Sequence, residues 1–173
     1  MQDYFYTLAD TLTGLCQGNE VYTCTFRGED SDFIRFNHSA IRQAGTVVQR
    51  FLNLDLMRGQ QHASADIALS GDLEEDRTRL TQRLTSLREQ LPYLPVDPHL
   101  LYATEVHGSE QTGENRLPAS TDAVAAILQA GQGQDLVGFY ASGCMYAGFA
   151  NTFGQRNWFA SHSFNCDWSV YHQ

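Results

Sequence analysis

The chain has no lysine. Its 11 basic residues are all arginines, set against 20 Asp and Glu for a formal net charge of −9. An acidic chain without a basic stripe has little with which to displace the counterions of a phosphate backbone, which argues against direct nucleic-acid binding. Long apolar runs are missing too: none approaches the roughly 18 residues that span a bilayer, so no membrane partner is expected. The opening "MQDYFYTLAD" has neither the basic nor the apolar region of a secretory signal, and the chain reads as cytoplasmic. The four cysteines, Cys16, Cys24, Cys144 and Cys166, show no CxxC or paired spacing. Four reduced thiols, mostly buried as small hydrophobes, are expected rather than a disulfide framework or a structural zinc site.

Catalytic signatures are equally scarce. The histidines at 38, 62, 99, 107, 162 and 172 form no HExxH, HxH or similar ligand pair. His162 and Cys166, on one strand face, would stand about 13 Å apart, too far for one metal. No metal ligand and no cofactor is therefore expected in this chain. Ser39 and Ser142 lack the GxSxG elbow, and His38 beside Ser39 would point to the opposite face of a strand. Neither Walker A nor GxGxxG occurs. Glu74-Glu75-Asp76 reads as a solvated helix start whose carboxylates complement the helix dipole. No catalytic residue is assigned.

What is present is a folding composition of 42% hydrophobic and 12% aromatic residues over 173 positions, enough for one domain, or one domain with a lobe added, and a sizeable core. Tyr4/Phe5, Leu8, Leu12 and Leu15/Cys16 recur at helical spacing before a stop at Gly18. Two β-rich runs follow, with a polar turn expected around Gly28-Glu29-Asp30. Val48, Leu52, Leu54 and Leu56 alternate with polar residues, Arg58-Gly59 supplies a tight turn, and Ala63, Ala65, Ile67 and Leu69 form the apolar face of a return strand. Asp72 caps a strong helix whose stripe is Leu73, Leu80, Leu84, Leu87 and Leu91, with Glu75 and Arg79 paired on the other face and Pro92 as terminator. A Pro-, Gly- and polar-rich connector spans 96–117 and flanks a short strand at Leu100–Thr104. A short helix capped by Ser120 or Thr121 runs to Gly131, and four strands of a β-meander close the chain, the first three separated at Gly143-Cys144 and Phe153-Gly154-Gln155. The small residues Gly138, Ala141, Gly143, Ala147, Gly148 and Ala150 would admit close approach of another backbone or a ligand. The fold class is α+β: a largely antiparallel twisted sheet with about three helices and a C-terminal β-meander.

The most specific surface lies in that last region. Asn151, Gln155, Arg156 and Asn157 crowd a turn flanked by Phe149, Phe153, Trp158 and Phe159. Two readings fit. In one, the amides satisfy turn backbone while the aromatics fill a core. In the other the turn is a recognition edge, because Arg and Trp are enriched where partners bind and amides can pair with an extended peptide. On the second reading Asn151, Gln155, Arg156, Asn157 and Trp158 contact a peptide or partner, and truncating Arg156 or Trp158 should disturb capture more than folding.

Here "GFYASGCMYAGFANTFGQRNW…SFNCDWSVY" resembles the hallmark segment of the TldD/TldE (PmbA) family, metallopeptidase-related proteins once labelled modulators of DNA gyrase. "AGFANTFGQRNW", Ala147–Trp158, follows the family pattern, with Ala147 where an Arg is often found. "FIRFNHSAIRQAG" resembles the family's N-terminal strand pair, and "RGQQHASADIALSGDLEEDRTRL" the following hairpin and helix of a TldE-like subgroup. The resemblance implies a single N-terminal domain over 1–173 (a helix-sheet-helix part at 1–95, the connector at 96–117, a helix plus meander at 118–173), with the C-terminal domain absent. It further implies a domain that is not itself catalytic and that contributes to dimer assembly and to a chamber admitting unfolded peptide. The partners would be a second copy or a TldD-like subunit. Zinc, held by HExxxH in the family's second domain, would come from that missing domain or from the partner. A stand-alone peptide-binding or scaffold module without peptidase activity is the alternative.

Overall fold

A computed structural model describes residues 1–171. The elements are α1 (Gln2–Leu15), β1 (Val21–Asn37), β2 (Ala40–Arg58), β3 (Gln61–Ala68), α2 (Leu73–Gln90) with a single 3-10 turn at Leu91–Tyr93, β4 (Ser109–Thr112), α3 (Ser120–Ala130), β5 (Asp135–Asn151) and β6 (Arg156–Tyr171). The strands form one six-stranded, largely antiparallel sheet in the order β3-β2-β1-β5-β6-β4. The expected α+β class with three helices is what the chain adopts. His172 and Gln173, the end of the last expected strand, lie outside the described residues. Among the described residues no helix is long and apolar enough to cross a membrane.

The chain divides into two compact units, and β1, β2, β5 and β6 contribute to both. The first comprises Met1–Gly28, Gln49–Thr112 and Tyr146–Phe159. Here α1 and α2 lie against each other, and their apolar stripes close the core. Phe5, Leu8 and Leu12 from α1 and Leu80, Leu84 and Leu87 from α2 are buried, as are Tyr22, Cys24 and Phe26 of β1 and Leu52, Leu54 and Leu56 of β2. The expected β2–β3 hairpin forms, but Arg58 stays in β2 opposite Gln61, with Leu56 opposite Ala63, and the turn residues are Gly59, at φ +61, and Gln60. Asp72 caps α2 by accepting from the Glu75 N–H at 2.9 Å, and Glu75 pairs with Arg79 at 2.5 Å.

The second unit comprises Glu29–Val48, Gly113–Met145 and the chain from Ala160. Its core is small: Ile34, Phe36, Leu136 and Tyr140 of the sheet meet Ala123, Val124, Ile127 and Leu128 of α3, with Cys166 alongside. α3 stops at Gly131 as expected, but Ser120 is its first residue rather than a cap, its hydroxyl donating to Asp32 at 2.7 Å.

Three expectations change. No turn occurs at Gly28-Glu29-Asp30: β1 runs on to Asn37, and the chain reverses at His38–Ser39, both at positive φ. The C-terminal strands are two long ones, not four, because Gly143 sits inside β5. A Cβ there would run into the backbone of Asp30 and Ser31, so this glycine serves close strand approach rather than a turn. The connector's strand is at Ser109–Thr112 instead of Leu100–Thr104.

Candidate functional site

The β5–β6 turn is organised from within. Asn151 is 4% exposed, and its Oδ1 accepts from the N–H groups of Phe153 (3.0 Å) and Gln155 (3.1 Å), an Asx arrangement that shapes the loop while Gly154 takes φ +88. Its amide nitrogen lies 3.5 Å from the Ala103 carbonyl.

Gln155 and Asn157 point away from the turn and seize an extended backbone. Gln155 accepts from the His107 N–H at 2.5 Å and donates to the His107 carbonyl at 2.6 Å, satisfying one residue's donor and acceptor together. Asn157 adds donations to the same carbonyl at 3.0 Å and to Ser109 Oγ at 2.7 Å. The backbone they hold is the chain's own approach to β4. Gly108 fits there because a Cβ would come within 3.2 Å of the Arg156 carbonyl.

Arg156 forms an ion pair with Asp10 and sets its guanidinium 5.0 Å from the centre of the Tyr6 ring. Trp158 is 4% exposed and stacks against Phe5, Phe26 and Tyr146 with ring centroids 6.2, 6.0 and 5.9 Å away. Of the five residues singled out in the sequence, Asn151 and Trp158 thus point inward. Gln155, Arg156 and Asn157 lie partly exposed, between the outward-facing Phe153 and Phe159. His107, Ser109, Asp10 and Tyr6 complete the arrangement without any sequence signal, since each is distant in the chain and lies outside a motif.

Two carboxylates of the same unit are buried. Asp76, expected on a solvated helix face, is fully enclosed. It accepts from Tyr4 Oη at 2.6 Å and from the N–H groups of Ser70 and Gly71 at 2.9 Å each. Burial disfavours its charge, but these hydrogen bonds outweigh that and lower its pKa. Burial likewise opposes the charge of Glu20, yet Arg88, the Gln17 N–H and Arg58 together bring its pKa down to about 2. Both carboxylates are acceptors in hydrogen-bond networks internal to this unit. All four cysteines are free thiols; burial pushes Cys24 up to about 12 and raises Cys16 and Cys166 as well, which keeps these three from acting as thiolates near neutral pH. Among the described residues no group of three or more His, Cys, Asp and Glu converges on a point.

No family model matches the sequence, and no curated protein matches it. Solved structures match in fold. A Thermotoga maritima protein described as a modulator of a DNA gyrase superposes with a TM-score of 0.62 at 8% identity over 92% of this chain and 38% of its own. TldE from Thermococcus kodakarensis gives 0.58 at 11% identity, over 96% of this chain and 42% of its own. A Bacteroides thetaiotaomicron protein described as a modulator of DNA gyrase gives 0.59 at 14% identity, over 96% and 40%. The chain spans about two-fifths of the length of these proteins. Nearly all of it has the fold of one portion of the TldE and gyrase-modulator structures, which is the fold the sequence resemblance implied.

Proposed function

We propose that this chain acts as the N-terminal domain of a TldD/TldE-type peptidase system. It would support dimer assembly, with a second copy or a TldD-like subunit, and help form the chamber that admits an unfolded peptide in the cytoplasm. The observation that carries this reading is the fold likeness over 92–96% of the chain to proteins of which it spans only 38–42%. Zinc and the residues that hold it would belong to the missing domain or to the partner. There zinc would activate a water for hydrolysis of the peptide bond, with a Glu taking the water's proton as general base; no residue of this chain is assigned to hold the metal. The β5–β6 turn would offer the partly exposed Arg156 to partner or peptide, with Gln155 and Asn157 holding the His107–Ser109 segment beside it and Asn151 and Trp158 fixing the turn from behind.

The test is co-elution of the purified chain with a TldD-like zinc peptidase of the same organism, followed by assay of an unfolded-protein substrate. A complex with raised peptide cleavage is expected, and Arg156→Ala should weaken it. Absence of both complex and stimulation would overturn the reading. It would favour the second one, a stand-alone peptide-binding or scaffold module. The Gln155–His107 pairing supports that alternative, because this turn already holds an extended backbone by its amides.

A further inference from the structure

The β1–β2 hairpin ends in a two-residue turn, His38–Ser39, with φ of 49° and 53°. Neither residue is glycine, so the turn is strained and must be held by its surroundings. Ser39 does this: its N–H donates to the Leu136 carbonyl at 3.0 Å, its hydroxyl lies 2.5 Å from the Gln134 carbonyl, and Leu136 N–H donates to that hydroxyl at 3.1 Å. His38 Nδ1 sits 2.9 Å from Asp135 Oδ1.

A two-residue turn sets the register, Asn37 opposite Ala40 and therefore Arg35 opposite Arg42. Like charges facing each other across strands are unfavourable. Both arginines are exposed, and neither has a hydrogen-bond or ion-pair partner among the described residues. With Phe36, Asn37, Gln43 and Val137 they line a hollow of about 650 Å³ to which no carboxylate of the described residues contributes. In a chain of net charge −9, two guanidiniums without a partner among the described residues, beside an over-held turn, form a site fit for an anion.

The same strand leaves an open edge. β3 covers only Phe51–Arg58 of β2, and β1 is its neighbour on the other side. From Ala40 to Val48 every residue is exposed, including Ile41, Val47 and Val48. A long edge with β-branched side chains is a template for another strand. Because Arg42 lies near the start of β2, a strand added antiparallel to β2 would run toward the turn and end beside the two guanidiniums. Their planar forks match a carboxylate in two-point hydrogen bonding.

We propose that the Ala40–Val48 edge binds an extended peptide by strand addition and that Arg35 and Arg42 receive its terminal carboxylate. The inference rests on the hairpin alone and not on the family likeness. It is tested by fluorescence anisotropy of the whole chain with an N-terminally fluorescein-labelled Ser-Val-Thr-Val-Ser-Ala peptide, as free acid and as C-terminal amide. The acid should bind about tenfold or more tighter, the usual scale for charge-assisted hydrogen bonds. In the double variant Arg35→Gln, Arg42→Gln the acid should fall to the affinity of the amide, with the circular-dichroism spectrum and melting temperature unchanged. Equal binding of acid and amide, or no binding of either, would overturn the proposal. So would a phosphoserine-containing amide that binds as tightly as the free acid, because the anion would then not be the chain terminus.

Discussion

The first unit covers its sheet with two helices of 14 and 18 residues, and the second has one helix of 11. The consequence shows in what each buries. In the first unit Phe5, Tyr22, Phe26 and Trp158 are interior, and even the carboxylates of Glu20 and Asp76 are enclosed. In the second, Ile41, Val48, Phe164 and Trp168 are all exposed. The first unit also exposes Tyr93, Leu101 and Phe159, so the units differ in the size of their buried cores and not in having outer apolar surface. Stability is therefore expected to reside mainly in the first unit, whose core is the larger.

Truncating Trp158 to Ala gives the largest expected effect, a loss of about 3–5 kcal/mol in urea unfolding, because a buried aromatic leaves a cavity among Phe5, Phe26 and Tyr146. Trp168→Ala in the second unit, where the ring is 60% exposed, should stay within about 0.5 kcal/mol. Equal losses would break the comparison.

Acid should act next. Glu20 has its folded pKa lowered to about 2, so its contribution is present above the unfolded carboxylate value and is lost as pH falls through the folded one. Between about pH 4.5 and pH 2 the chain should lose roughly 3 kcal/mol through this group. Urea midpoints measured against pH report it. Glu20→Gln should remove that slope while lowering stability at pH 7, since Arg58 and Arg88 then lose their carboxylate.

Glycines sharpen the contrast. A Cβ at Gly148 would lie 2.5 Å from the Phe5 ring, so Gly148→Ala should cost about 1–3 kcal/mol through overpacking. Gly45, on the open edge of β2, has nothing within 4 Å of the added atom, and Gly45→Ala should leave the melting temperature nearly unchanged. Arg156→Ala is expected to be small as well. Its partly exposed pair with Asp10 contributes at most about 1 kcal/mol to folding, so a large loss of partner binding at preserved stability would separate recognition from structure.

Much of the framework was legible in the amino-acid order, because helix caps and tight turns are local. Asp72 with Glu75, Gly59 after Arg58, and Gly131 after α3 each act within a few residues, and the leucine stripe of α2 follows from 3.6-residue periodicity. The β5–β6 turn was legible as a cluster of amides and aromatics, and Asn151 does satisfy its backbone. The division of labour within that cluster was not. An Asn that shapes a turn and a Gln that grips His107 look alike in one dimension.

Composition and periodicity thus determined the three helices, the β2–β3 hairpin and the absence of a membrane-spanning helix among the described residues. Tertiary structure alone decided the rest. Asp76 is buried because Tyr4, 72 positions away, meets it; Gln155 is occupied because His107, 48 positions away, runs beside it. Gly143 extends a strand where it would otherwise mark a turn, because the backbone of Asp30 and Ser31 lies against it. Local propensity weighs each residue against its chain neighbours, whereas burial, charge satisfaction and close approach depend on residues that only folding brings near.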